Sequence, residues 1–192
     1  MKFRLVILFM SLLSMTLSAQ TLVEFKLQKD GSFISEDGKS FVVVPCEGKT
    51  AQELYTIVKS NVMTLYNSPK NVMSENEPND LSIRALSSTL EESMKFMQGI
   101  VNYKAYYNLV FHFKDGRIKV DAPTVSRDLV VESTGSAFPK TFDDFVKGWF
   151  EKSGEAKKKK LKDIQKIESI FNYPINYLLG NFKSNNQQEE DW

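Results

Sequence analysis

The chain has 192 residues, and its 25 lysines and arginines almost balance its 24 aspartates and glutamates. A chain so close to neutral has no overall field that would collect nucleic acid or an anionic surface, so such contacts need a local patch. Aromatic residues make up 12% of the chain, which favours a folded domain over a disordered one. Cys46 is the single cysteine, so an intrachain disulfide is excluded.

The first 19 residues have the pattern of a bacterial secretory signal peptide. Residues 1–4 are short and basic, residues 5–13 are almost wholly apolar, and the segment ends in small residues at Ser18 and Ala19. A signal peptide combines these three regions, whereas a membrane anchor needs about 20 apolar residues. We expect cleavage after Ala19 and an exported chain, soluble in the periplasm or outside the cell, with no transmembrane segment in its mature part.

Residues 20–184 are predicted to form one α+β domain, followed by a polar, acidic tail at 185–192. Residues 22–27 indicate an edge strand, and residues 41–44 indicate a buried strand that ends at Pro45 because proline cannot continue a ladder. Thr50 and Glu53 have the spacing of a capping box, which begins a helix that should stop before Pro69. The apolar face of this helix consists of Leu54, Ile57, Val58, Val62 and Leu65.

Residues 106–121 predict a β-hairpin. Apolar and polar residues alternate along 106–114, and Asp115-Gly116 is typical of a two-residue type I′ turn. Because the turn fixes the register, the apolar residues of the two strands face each other and a one-residue slip would mix the faces. The predicted pairs are Phe113 with Ile118, Phe111 with Val120, Leu109 with Ala122 and His112 with Lys119.

The remaining segments are less uniform. Residues 72–75 and 81–85 indicate strands joined by a turn, residues 129–131 indicate a short strand, and residues 89–104 are ambiguous between helix and loop. In the helical region at 141–180, Thr141 caps a first helix, and Pro174 should disturb a second one. The expected fold is α+β: a curved antiparallel sheet of about four to six strands with helices packed on one face. The two apolar stripes contain Phe142, Phe145, Val146, Trp149 and Phe150, and then Leu161, Ile164, Ile167 or Glu168, and Phe171.

Three segments resemble a secreted bacterial family of unknown function, common in Bacteroides-type organisms and described as having a TBP-like fold. The resemblance covers about residues 22–125, and it implies a TBP-like fold and no particular activity. The segment 126–140 and the lysine-rich helix depart from that family. A signal peptide also takes the chain away from nucleic acid, so no nucleic-acid partner is expected. The matching segments are Phe41-Val42-Val43-Val44-Pro45, Gly48-Lys49-Thr50-Ala51-Gln52-Glu53-Leu54-Tyr55 and Tyr107-Asn108-Leu109-Val110-Phe111-His112-Phe113-Lys114-Asp115-Gly116-Arg117.

The polar side of the predicted hairpin supplies the candidate binding residues. Such a mixed polar and aromatic face can hold a ligand or a protein partner when nothing covers it. The main hypothesis is therefore an extracytoplasmic, non-enzymatic binding or accessory module, without a cofactor, whose partner is an envelope protein or a small ligand. Its candidate residues are Tyr106, Asn108, His112, Arg117, Lys119 and Asp121.

A cysteine hydrolase built on Cys46 and His112 is the first alternative. Cys46 comes shortly before the helix that begins after Thr50, and a helix N-terminus lowers the pKa of a nearby thiol. The simpler interpretation is a buried structural cysteine and an unrelated histidine on the polar sheet face. One histidine and one cysteine also give no basis for a zinc site, and no metal is expected.

A lysine-rich segment at the start of the last helix suggests a second alternative, a protein associated with an anionic surface. The patch is offset only by Asp163, but we expect Leu161, Ile164 and Phe171 to pack inward and leave no apolar face for lipid. Contact with anionic surfaces should therefore be weak and sensitive to salt. The patch consists of Lys157, Lys158, Lys159, Lys160, Lys162 and Lys166.

Overall fold

The computed structural model describes residues 22–95, 99–134 and 138–180. Within these ranges no helix combines the length and the apolar character needed to cross a bilayer. The strands are β1 (Phe25–Leu27), β2 (Phe33–Ser35), β3 (Phe41–Pro45), β4 (Met73–Asn76), β5 (Asp80–Leu86), β6 (Glu91–Lys95), β7 (Gly99–Lys104), β8 (Tyr106–Lys114), β9 (Arg117–Asp121), β10 (Thr124–Val125) and β11 (Val130–Ser133). The helices are α1 (Ala51–Leu65), α2 (Pro69–Val72), α3 (Phe142–Lys147) and α4 (Leu161–Leu179), the last preceded by a 3₁₀ turn at Lys158–Lys160.

The main sheet is antiparallel, with strand order β3-β9-β8-β5-β4 and β10 added to β8. The predicted hairpin is confirmed: Phe111 pairs with Val120 and His112 with Lys119. Gly116 has a φ of 74°, which glycine adopts without steric cost in the turn. The turn is also tied to α1, since the Asp115 carboxylate accepts a hydrogen bond of 2.8 Å from the N–H of Ala51.

The predicted pairing of Leu109 with Ala122 is wrong, because the register shifts by one residue after β9. Thr124 in β10 pairs with Asn108 instead. The N–H of Ala122 turns to the carbonyl of Ser40, at 2.8 Å. Pro123 has no N–H to offer the ladder.

Within residues 89–104, the segments 91–95 and 99–104 form strands rather than a helix or a loop. β7 pairs with β6 and β11 in a second, three-stranded sheet. Val101 and Tyr103 are buried, and the residues that follow each of them are half-buried, so β7 has the two-residue period of a strand. Ser87 follows β5, and Ala105 lies between β7 and β8. The N–H of Ser87 donates to the carbonyl of Ala105 at 2.8 Å, and this bond connects the segments that link the two sheets.

The helices cover one face of the main sheet, as the predicted α+β class requires. The capping box at the start of α1 is confirmed: the Thr50 side chain accepts from the Glu53 N–H, and Glu53 accepts from the Thr50 N–H. Phe171 of α4 is fully buried and makes edge-to-face contacts with other aromatic rings. Its partners are Phe33, Tyr107 and Phe142, with ring centroids 5.3, 5.5 and 6.3 Å away.

β1 and β2 form a separate two-stranded ribbon. On the edge of β1 that faces away from β2, side chains of α4 bond to the backbone of residues 23–27. Asn176 accepts from the N–H of Val23 and donates to its carbonyl, both at 2.8 Å. Asn172 makes the same pair of bonds with Phe25, both at 3.0 Å. Further along, Glu168 accepts from the N–H of Leu27 at 3.0 Å. We call Glu168, Asn172 and Asn176 the α4 ladder.

Three local predictions are corrected by this packing. β3 is an edge strand rather than a buried one, and Val43 is 46% exposed because only β9 pairs with it in the described chain. α4 continues through Pro174, since Phe171 and Ile175 on either side of it are fully buried and hold the helix against the proline penalty of about 3 kcal/mol. Leu161 is 44% exposed, because it begins the helix beyond the edge of the core.

The α4 ladder predicts a specific loss of stability. Asn172→Ala should lower the free energy of unfolding by about 1–3 kcal/mol, because the N–H and carbonyl of Phe25 both lose their partner in a partly buried position. Urea unfolding of the parent and the variant measures the difference. Gln165→Ala, on the exposed side of the same helix, is the matched control and should change stability little. An equal effect of the two substitutions would contradict the role of the ladder.

Candidate functional site

Among the described residues, nothing covers the face of the main sheet that points away from α1 and α4, and we call it the outer face. A row of aligned residues runs across its five strands: Val43, Lys119, His112, Asp80 and Asn76. Each of these side chains is half-buried or exposed. The alternation of strand residues places them on the side opposite to the buried core residues of the same strands.

His112 lies between two aspartates from neighbouring strands. Its Nδ1 is 2.6 Å from Oδ1 of Asp80, and its Nε2 is 2.9 Å from Oδ2 of Asp121. A neutral imidazole can donate only one hydrogen bond, whereas an imidazolium donates from both nitrogens. The two carboxylates therefore favour the charged form of the ring.

The charged groups of this cluster shift one another's pKa. Burial lowers the pKa of His112, but the hydrogen bonds to Asp121 and Asp80 outweigh burial and raise it overall. The hydrogen bond from His112 lowers the pKa of Asp80. Burial raises the pKa of Asp121, but His112 and Lys119 outweigh that effect and leave it below its ordinary value.

The cluster extends in both directions along the row. Asn76 donates to Oδ2 of Asp80 at 3.2 Å, so both oxygens of that carboxylate are engaged. Lys119 Nζ lies 3.0 Å from Oδ1 of Asp121 and 5.2 Å from the centre of the Phe41 ring. The result is a hydrogen-bonded chain of fixed side chains on an otherwise uncovered face.

A depression of about 460 Å³ opens beside His112, at the end of the outer face next to the Asp115-Gly116 turn. Its size lies in the range of small-ligand sites, about 300–1,000 Å³. Two lysines, one arginine, the His112 ring and one acidic side chain contribute to its lining. The lining residues are Val43, Asn79, Asp80, His112, Phe113, Lys114, Arg117 and Lys119.

The structure brings together four of the six predicted binding residues: His112, Arg117, Lys119 and Asp121. Tyr106 and Asn108 lie at the other end of β8, where Arg84 stacks over the Tyr106 ring at 5.5 Å. Asn108 lies four positions before His112, a distance of about 13 Å along a strand. Asp80 was missed, because only the pairing of β5 with β8 places it beside His112.

The structure does not support the pair of Cys46 and His112. Cys46 is buried in the apolar core, with its sulfur 3.6 Å from the carbonyl of Val44. Burial raises the pKa of its thiol, and Lys49 offsets this only in part, which opposes thiolate formation. Both nitrogens of His112 are engaged by aspartates on the outer face, so neither is directed at the sulfur.

The lysine-rich patch opens as a 3₁₀ turn rather than as part of the helix itself. Two of its cations make internal contacts. Lys157 donates to the carbonyl of Gly148 at 2.9 Å. Lys160 lies 2.7 Å from Asp163 and 5.4 Å from the centre of the Trp149 ring. Ile164 and Phe171 pack inward as predicted, and Leu161 does not.

Comparisons with known proteins support the fold. No protein-family model matches the chain, and neither does any curated protein. A solved DUF4468 family protein from Bacteroides ovatus ATCC 8483 superposes with a TM-score of 0.50 at 8% identity, covering 80% of this chain and 88% of its own. A TBP-like protein from Parabacteroides distasonis ATCC 8503 has a TM-score of 0.44 at 12% identity, covering 77% of this chain and 91% of its own.

At such low identity the likeness to the Bacteroides ovatus protein concerns the fold alone. It confirms, at that level, the resemblance to a Bacteroides-type family of unknown function that the sequence indicates. The α+β class is confirmed as well, since antiparallel sheets carry their helices on one face. A shared fold does not define what a protein binds, so the site has to be interpreted from its own residues.

The cluster around His112 predicts a pH-dependent stability. The pKa of His112 is higher in the folded state than its unfolded value of 6.5, so the protonated ring stabilises the fold. This contribution is complete below pH 6.5 and is lost as the pH rises through the folded pKa. The side chain is 33% exposed, so the effect should stay under about 1 kcal/mol. Urea unfolding at a series of pH values should show a decline as the pH rises above 6.5.

His112→Gln is the control for this decline, because glutamine can still donate a hydrogen bond but does not titrate. The chain contains a single histidine, so the variant removes every imidazole from the protein. Its stability should be flat over the window in which the parent declines. A decline of the same size in the variant would show that another group is responsible.

Proposed function

We propose that the protein is an extracytoplasmic, non-enzymatic binding protein and that the outer face holds its ligand around the depression beside His112. The observation that carries this proposal is the fixed row of charged side chains on an uncovered sheet face. Exposed ion pairs contribute little to stability, typically about 0–1 kcal/mol, so stability alone is a weak reason for such a cluster.

Fixed side chains have a direct advantage for binding. A ligand that meets mobile side chains loses about 0.5–1.5 kcal/mol for each one that becomes ordered. In the row, His112 is held at both nitrogens and Lys119 is held by Asp121. This part of the surface is therefore ordered before a ligand arrives, which supports a recognition role.

The arrangement favours binding over catalysis. A nucleophile needs a base within hydrogen-bond reach, about 2.6–3.2 Å, and the base must be free to take a proton. His112 has each nitrogen engaged by a carboxylate, and Cys46 is buried with a raised thiol pKa. No group of three histidine, cysteine or acidic side chains suited to a metal ion occurs among the described residues.

The extracytoplasmic location rests on the first 19 residues, which lie outside the described part of the chain. Expression of the full gene in a bacterium should yield a periplasmic or secreted protein whose intact mass matches a chain beginning at Gln20, because the signal is removed on export. The control is Leu8→Arg, which breaks the apolar run and should retain the uncleaved chain in the cell. A parent protein of uncleaved mass in the cytoplasm would refute the location.

Capture of partners from envelope extract tests the binding role of the outer face. Immobilised mature protein should retain a specific protein or small ligand, and Lys119→Glu should release it because the charge beside His112 is inverted. Lys70→Glu is the matched control: it makes the same change on an exposed lysine of α2, away from the outer face. Retention that is equal for both variants, or absent for the parent, would count against the proposal.

Association with an anionic surface is the weaker candidate. Leu161 is the exposed apolar residue at the start of α4, while Ile164 and Phe171 are buried. A single exposed leucine gives little apolar area for insertion into lipid. The contact expected of the lysine-rich patch is therefore electrostatic, weak and screened by salt.

A further inference from the structure

The strongest unexplained feature of the outer face is a pair of like charges. Lys114 and Arg117 are directly opposite each other in the register of β8 and β9. Both residues line the depression beside His112. Like charges in directly opposed positions destabilise a strand pair. Within the described residues, neither of them forms an ion pair with an acidic side chain.

Three acidic side chains near this pair have other partners. Asp80 is bound by His112 at one oxygen and by Asn76 at the other. Asp121 is bound by His112 and Lys119. Asp115, in the turn between the two basic residues, accepts a hydrogen bond from the N–H of Ala51 at the start of α1. At this end of the outer face, Lys114 and Arg117 therefore keep their cationic groups without an ion-pair partner among the described residues.

The other lining residues define what lies beside the charge. Val43 is 46% exposed and forms an apolar wall of the depression. Lys119, held by Asp121, stands between this wall and His112 in the row. An arginine and a lysine on one side and a valine on the other fit a group that is both anionic and apolar.

We propose that the depression binds the oxyanion of a small ligand that carries an apolar group next to its charge, with Arg117 and Lys114 contacting the anion and Val43 the apolar part. This inference rests on the proposed function and specifies its ligand class. Arginine presents parallel N–H donors to a carboxylate, sulfate or phosphate, and lysine adds a point charge. A bound anion also removes the repulsion between the two side chains.

Titration of the mature protein with benzoate, followed by amide and side-chain NMR signals, tests the assignment. Benzoate should shift the signals of Arg117, Lys114 and Val43 with a dissociation constant of about 1 mM, a normal affinity for a ligand of that size. Inorganic phosphate should bind more weakly, because it lacks the apolar group. Benzyl alcohol and n-butylamine, which lack the negative charge, should not bind at this place.

Variants separate the contact from a general effect on the fold. Arg117→Gln should weaken benzoate binding by at least about tenfold, because a charge-assisted contact is lost. Arg84→Gln is the matched control on the same face, about 20 Å away along the strands, and should leave the affinity unchanged. Arg117→Gln should also unfold at the same or a higher temperature than the parent, because it relieves the repulsion with Lys114. This second result excludes a merely structural role for Arg117.

Several outcomes would overturn the assignment. These are equal binding of benzoate and n-butylamine, benzoate shifts located away from the depression, tighter binding of phosphate than of benzoate, and an unchanged affinity in Arg117→Gln. The failure of this inference is distinct from failure of the proposed function. If envelope capture depends on Lys119 but benzoate and phosphate do not bind, the outer face remains a binding surface and the anionic ligand class is wrong.

Discussion

The alternation of residues along β8 is the constraint on which the rest of the structure depends. One set of its side chains, from Tyr107 to Phe113, is buried and meets the helices. The set between them, which includes His112, points to the outer face. Because neighbouring residues of a strand point in opposite directions, the register that builds the core also builds the site. A slip of one residue would expose the core and bury the charged cluster together.

Local features of the fold could be predicted from the sequence, because their causes lie within a few residues. The capping box of Thr50 and Glu53 spans a single helical turn, and the Asp115-Gly116 turn fixes its own hairpin. The predictions that are wrong concern segments whose structure depends on residues distant in the sequence. Pro174 remains in α4 because buried neighbours hold the helix, and the strands at 89–104 depend on pairing that a local period does not reveal. Propensity is a weak prior wherever tertiary packing decides.

In the candidate site, too, the contacts within one hairpin could be predicted and those between distant strands could not. His112 and Lys119 are predicted to face each other across one hairpin, and they do. Asp80 lies 32 positions before His112, so its place in the cluster depends on how β5 joins the sheet. The sequence shows Asp80 only as part of a turn. The side chains that give this surface its electrostatic character thus come from three strands that the fold assembles.

The α4 ladder has a geometric consequence for the N-terminal segment. Four residues of helix advance about 6 Å, whereas two residues of strand advance about 6.7 Å. A helix and a strand lying side by side therefore present their hydrogen-bonding groups at slightly different spacings. Over the three positions from Asn176 to Glu168 the mismatch grows to about 1.4 Å, and the side chains of the ladder absorb it.

The ladder ends at both sides because α4 offers no further polar side chain at this spacing. The next position along α4 is Ile164, an apolar residue in the core, and the position beyond Asn176 is Gly180, which has no side chain. The hydrogen bonds of the ladder go to backbone atoms of Val23, Phe25 and Leu27, and Glu168 adds an ion pair with the side chain of Lys26 at 3.6 Å. The ladder therefore fixes the position of residues 23–27 along α4.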